Sequence, residues 1–158
     1  LGFKIFSRIL ILLSILFCLA PAAMAETAPV RIEVRHADRI DYDGATGAIV
    51  LIGSVHVVRG PLSIRADRME ILLSEDEKRV RSATATGRVE ILDGDRRARA
   101  QKAVFAENVS EITLTGEPRL WSGGNELEAD RIVYGVNSRQ MRAEGRVRGL
   151  FLPGNNVF

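Results

Sequence analysis

The sequence predicts an all-β fold, a tall, thin, twisted sandwich or open roll of about sixteen short strands with an apolar lining. Three observations carry this expectation: period-two alternation of apolar and polar residues, turn-forming clusters at short intervals, and a two-part motif that recurs four times. The first part reads Ala37-Asp38, Ala66-Asp67, Ala100-Gln101 and Ala129-Asp130, in steps of 29, 34 and 29 residues. The second reads Gly53-Ser54-Val55, Gly87-Arg88-Val89, Gly116-Glu117-Pro118 and Gly145-Arg146-Val147. A period of this size marks degenerate repeats, in which each unit must stack on the next to bury its apolar face.

Residues 1–25 read as a cleaved signal peptide: Lys4 and Arg8 precede an apolar run from Ile9 to Leu19, and Ala23-Met24-Ala25 offers small residues for cleavage. The competing reading is a membrane anchor, but Pro21 and the small residues cut the run short of the roughly 20 apolar residues a span needs. This segment holds two of the 22 basic residues, none of the 20 acidic ones and the single cysteine, Cys18. Residues 26–158 are therefore formally neutral and cysteine-free, and are expected to form one domain held by burial and strand pairing. The basic character of the whole sequence belongs to the signal segment and gives no argument for nucleic-acid binding.

After a short lead, Glu26 to Pro29, the strands follow in order. Ile32 and Val34 alternate with Arg31, Glu33 and Arg35, and Ile40 and Tyr42 follow the first Ala-Asp. Ile49, Leu51, Gly53, Val55 and Val57 share one parity; Ile64, Ala66, Met69 and Ile71 form the next apolar series, then Val89 and Ile91. Ala98, Ala100, Ala103 and Phe105 continue it, followed by Ile112 and Leu114, by Leu127, Ala129, Ile132 and Tyr134, and by Met141, Ala143, Gly145 and Val147. No segment after residue 25 sustains a helical period; Arg65 to Ser74 comes nearest and is read as strand. Turns are expected at Asp43-Gly44, Thr46-Gly47, Gly60-Pro61, Ser74 to Lys78, Asp93-Gly94-Asp95, Glu107-Asn108, Ser122 to Asn125 and Val136 to Ser138. Connections this short fit antiparallel hairpins or a coiling β-solenoid and exclude parallel strands with helical crossovers.

The motifs have a mechanical reading. Apolar parity slips by one residue after Ala66, Ala100 and Ala129, which predicts an extra residue at a bulge or corner. The alanine suits the crowded inside of such a corner, the aspartate can bond freed amides, and the glycine permits a sharp fold. His36, His56 and the repeated aspartates invite a metal or acid–base reading, but each carboxylate lies in a different repeat and Gln101 replaces the fourth. A corner role predicts that replacement, whereas a ligand role does not. No nucleophile elbow, glycine-rich loop before a helix or Cys-x-x-Cys occurs, so neither an enzyme nor a cofactor is expected. Trp121, Tyr42, Phe105, Tyr134 and Phe151 read first as packing residues, with the alternative that some line a cleft for an apolar ligand. Arg31, Arg35, Arg39, Arg65, Arg68, Arg131, Arg146 and Arg148 read as solvated residues that could also meet anionic headgroups.

The strand Val30 to Val34 leading to Ala37-Asp38, then Gly53 to Gly60, then Ile64-Arg65-Ala66-Asp67, resembles the LptA/OstA-like family of lipopolysaccharide export proteins. The similarity runs on through Leu114-Thr115-Gly116 and Leu127 to Tyr134, as far as Met141. It implies a twisted, partly open antiparallel β-jelly roll in the periplasm that carries lipopolysaccharide from an inner-membrane export complex to an outer-membrane translocon. Acyl chains would then lie against Ile32, Val34, Ile40, Ile49, Leu51, Val55, Val57, Ile64, Met69, Val89, Ile91, Phe105, Ile112, Leu114, Ile132 and Met141. It also implies end-to-end strand pairing with partners or with further copies of the chain, through edges at Val30, Ile32 and Val34 and at Val147 and Phe151. Two other readings stand beside it: a membrane-anchored subunit of the same fold that keeps residues 1–25, and a structural β-solenoid scaffold or adhesin module with a fully packed interior.

Overall fold

The computed structural model describes residues 31–76, 79–138 and 140–153. The expected signal peptide and Val30 lie outside the described residues. Among the described residues twelve strands form one sheet: β1 (Ile32–His36), β2 (Arg39–Asp43), β3 (Ala48–Arg59), β4 (Leu62–Leu73), β5 (Val80–Asp93), β6 (Arg96–Ala106), β7 (Glu111–Thr115), β8 (Arg119–Ser122), β9 (Asn125–Glu128), β10 (Arg131–Gly135), β11 (Met141–Glu144) and β12 (Arg148–Leu150). Every ladder is antiparallel, which removes the solenoid alternative.

The chain makes eight passes, each bent in the middle. Four of them, β3, β4, β5 and β6, stay continuous through the bend; the others break there into β1 and β2, β7 and β8, β9 and β10, and β11 and β12. This is why twelve strands stand where about sixteen were expected. The bend divides the sheet lengthwise. One half-sheet holds β2, β7, β10, β11 and one arm of each long strand; the other holds β1, β8, β9, β12 and the remaining arms. The expected turn clusters fall at hairpins between passes, that of Ser74 to Lys78 only as far as its described residues Ser74 to Asp76, and the longer 34-residue step falls in the repeat that holds the β4–β5 hairpin.

At the bend the two sequence motifs meet. A side chain added at Gly53 would overlap the carboxylate of Asp38, at Gly87 that of Asp67, at Gly116 the side chain of Gln101, and at Gly145 that of Asp130. Each repeat is thus a bent hairpin clasped at its corner, with the Asp or Gln of one arm seated on the glycine of the next. These glycines have φ between 75° and 91°, the left-handed region where a side chain is strained even without the contact. The extra residue sits on the glycine strand, not after the alanine as expected. Ile52 pairs with Arg68 and Val55 with Ala66, so Gly53-Ser54 face the single Asp67; Gly87-Arg88 likewise face Gln101. The consequence is that Leu51 and Val55 on one strand, and Ala66 and Met69 on its neighbour, all stay buried inside the bend. Buried Ala66, Ala100 and Ala129 fill the inside of the corners, as their size suggested.

Gly87→Ala is expected to destabilise the fold by about 1–3 kcal/mol, because it combines a positive φ with steric overlap. Urea denaturation of Gly87→Ala, Asp67→Ala and the double variant measures this. The double variant should lose less than the sum of the singles, since removing the carboxylate relieves the overlap. Strict additivity would show that the clasp is not a contact of energetic weight.

Candidate functional site

Register across the passes lines up the inward residues of each half-sheet into rows. In the first half-sheet one row runs Ile40, Leu51, Met69, Ala85, Ala103, Leu114, Ile132 and Ala143. In the second, the row above the bend runs Val34, Val57, Ile64, Ile91, Ala98, Leu120 and Leu127. Side chains are wholly buried where both half-sheets close on them, as at Leu51 and Ile132; burying each contributes about 1.5–3 kcal/mol. Where alanine interrupts the row, space remains. Ala98 stands between Ile91 and Leu120, and a cavity of about 90 Å³ opens there, with Leu62, Ile91, Ala98 and Leu120 on one wall and Ile112, Leu114, Ile132, Tyr134 and Met141 on the other. Its walls are almost wholly apolar; polar groups, Asp93, Arg96 and Arg97, stand on its rim.

The structure therefore sorts the expected lining residues into three groups. Ile91, Ile112, Leu114, Ile132 and Met141 line the cavity. Leu51, Val55, Val57, Met69 and Val89 are buried in the packed part of the core, with Ile49 and Ile64 packed partly buried against it and Phe105 half-buried beside Ile112. Ile32 and Val34, each 38% exposed, and Ile40, 54% exposed, stand on the first pass, at one open end of the groove. Val147 and Phe151 are exposed at the opposite end. Leu62, Ala98, Leu120 and Arg96 also line the cavity but are not among the expected lining residues, and Tyr134, read first as packing, stands there too; which inward residue borders unfilled space depends on the opposing half-sheet and has no local signal.

Across the mouth, Arg96 Nη1 donates to the Tyr134 hydroxyl at 3.3 Å, joining the two half-sheets. The outer faces carry paired charges. Arg97 Nε donates to Glu90 at 2.8 Å, Arg99 reaches the same carboxylate, and Arg97 lies 5.8 Å from the Trp121 ring centre, a cation–π contact that places this tryptophan on the outside. Burial pushes the Glu90 carboxyl up, but hydrogen bonds and charge from Arg97 and Arg99 outweigh it and hold it below the usual range. Burial, with Arg65 and Arg35 nearby, holds His56 below the usual histidine range, and its Nε2 lies 3.0 Å from Ser63 Oγ. The corner carboxylates serve separate corners: Arg88 Nε donates to Asp67 at 3.0 Å, and Arg146 donates to Asp130 from both its amide at 3.1 Å and its Nε at 3.0 Å. Hydrogen bonds from these arginines lower both aspartates.

Three comparisons bear on this arrangement. A family model described as LptA/(LptD N-terminal domain) LPS transport protein matches residues 36–140. Among solved structures, LptH of Pseudomonas aeruginosa, the LptA-homologous periplasmic component of the conserved lipopolysaccharide transport device, matches with a TM-score of 0.70. That match has 17% identity and covers 78% of this chain and 96% of LptH, which establishes a shared fold. No curated protein matches the chain.

Because Asp67 and Asp130 are lowered in the fold, their contribution to stability is present above the unfolded aspartate value near 3.9 and is lost as pH falls through their folded values. Asp67→Asn/Asp130→Asn should therefore show a shallower loss of stability than the parent between about pH 5 and 2. Urea midpoints across that range check it, and parallel curves would refute it.

Proposed function

This chain belongs to the LptA/LptD N-terminal domain family of lipopolysaccharide transport proteins, and from that premise we propose that it is a periplasmic carrier in which the bent sheet shelters acyl chains. The single observation that supports this most is the apolar cavity between the half-sheets, on a groove whose end residues remain exposed. Lipid tails in water lose roughly 0.8 kcal/mol of favourable burial per methylene, so a continuous apolar path removes a large barrier to crossing an aqueous compartment. Rows of similar side chains offer many comparable weak contacts, which suits a ligand that has to move on.

The same reading gives the edges a task. β1 and β2 pair only with β3, β11 only with β10, and β12 only with β9, so each end of the sheet presents a strand with one free side among the described residues. Such edges accept another strand, and the carrier passes its lipid from an inner-membrane export complex to an outer-membrane translocon through end-to-end pairing. Pairing with a second copy is favoured by charge. If the rows continue across the junction, Met141 of one copy falls opposite Tyr42 of the next, Arg142 opposite Asp41 and Glu144 opposite Arg39. Directly opposed unlike charges support that register, while a one-residue slip would turn apolar residues outward.

Two measurements test these proposals. A photoreactive residue at Ile112, which lines the cavity, should crosslink to lipopolysaccharide; Leu51 is wholly buried and serves less well. Ala98→Leu should fill the cavity and lower crosslinking severalfold with the fold retained, within the roughly 1–3 kcal/mol cost of overpacking. Absence of crosslinking in the parent would leave the structural scaffold as the better reading. At the edges, Ile32→Pro should abolish end-to-end association, and Arg142→Glu should weaken self-association that Asp41→Arg in the same chain restores. Sedimentation reads both, and failure of the exchanged pair to recover would reject the register.

A further inference from the structure

The groove is apolar, yet an arginine stands at its mouth. Arg96 opens β6 on the second half-sheet, half-buried, and its guanidinium reaches across the cavity rim to the phenol of Tyr134 on β10 of the first. The hydroxyl is neutral. Arg97 and Arg99, on the same strand, share the carboxylate of Glu90, whereas Arg96 has no carboxylate partner among the described residues. Asp93 pairs with Arg96 in register and lies on the same rim, but no ion pair joins them, and the guanidinium donates to the phenol instead. A half-buried guanidinium held by one 3.3 Å bond to a neutral acceptor has unused donors, and an oxyanion binds such a group more strongly than a phenol does.

We infer that Arg96 is a headgroup-reading residue: it leaves Tyr134 for a phosphate ester on a lipid whose acyl chain occupies the cavity beneath. This rests on the carrier function proposed above and adds a selectivity that an apolar groove alone lacks. Apolar walls hold any alkyl chain of suitable size. A cation at the rim distinguishes an anionic amphiphile from a neutral one. Tyr134 keeps the guanidinium aimed across the mouth when no anion is present, and exchange of one acceptor for the other couples lipid entry to release of the two rims. Asp93 disfavours an anion that approaches without an apolar anchor, which favours a lipid over free phosphate.

Equilibrium binding of the full chain to bisphosphorylated lipid A, to its dephosphorylated counterpart and to inorganic phosphate as competitor tests the assignment. The parent should prefer the phosphorylated lipid by about tenfold, the scale of a hydrogen bond to a charged group. Arg96→Gln should lose that preference while its affinity for the dephosphorylated lipid stays the same, and Arg96→Lys should keep part of it. Tyr134→Phe, which retains the ring and removes the acceptor, should leave the preference equal or larger. An undiminished preference in Arg96→Gln overturns the assignment, as does a preference lost in Tyr134→Phe, which also decides the matter if Arg96→Gln does not fold. If millimolar phosphate alone erases the preference, Arg96 takes a free anion and the lipid-headgroup assignment fails. If the parent binds neither lipid, the carrier function itself is refuted.

Discussion

The bend in each strand is the constraint on which the rest of the structure depends. A flat antiparallel meander of eight passes would leave its apolar face open to water, and folding it lengthwise requires every strand to turn at the same level without reversing its faces. The glycine strand meets this with an added residue in left-handed conformation, as at Gly53-Ser54 and Gly87-Arg88. Its partner contributes a carboxylate or amide that occupies the place of the missing side chain. Each part needs the other: a side chain at the glycine would displace the aspartate, and without the aspartate the widened corner would expose backbone.

From that hinge the groove follows. Alanines on the inside of the corners let the half-sheets approach closely at the base, and larger residues further out hold them apart toward the mouth. Packing is tight around Leu51, Val55 and Met69, and loosens where Ala98 faces Ile112 and Tyr134 across the cavity. One interior thus contains a packed core that supplies stability and an unfilled apolar stretch. The division comes from side-chain volume, since the backbone repeat is the same in both.

Residues with strong local backbone demands made the fold legible from sequence. Gly60-Pro61, Asp93-Gly94 and Gly123-Gly124 announce turns through their own conformational preferences, and period-two alternation gives the inward faces without knowledge of the partner. Parity does not give depth. Ile112 and Leu51 look alike in the sequence, but one lines a cavity and the other is wholly enclosed, because that depends on which side chains oppose them from the other half-sheet. The Arg96–Tyr134 contact, between residues 38 apart in sequence and on different half-sheets, has no local signal. The strand count was less legible for another reason: alternation cannot distinguish a strand that bends through a bulge from two strands that meet at one.

The distribution of strength over the sheet has a direct bearing on how such a groove opens. At the hinge, four clasps combine positive-φ glycines with seated side chains, and Asp67 and Asp130 are further held by arginines. At the mouth, the cross-groove contact between Arg96 and Tyr134 is a single long bond to a neutral oxygen. Widening the groove therefore requires little bond breaking at the rims and leaves the corners intact. The apolar walls oppose that widening through the contacts they would lose; in the carrier function proposed above, a lipid tail would replace those contacts. The contacts across the rims are thus the weaker part of the fold and those at the hinge the stronger, so any widening would be expected at the rims and not at the corners.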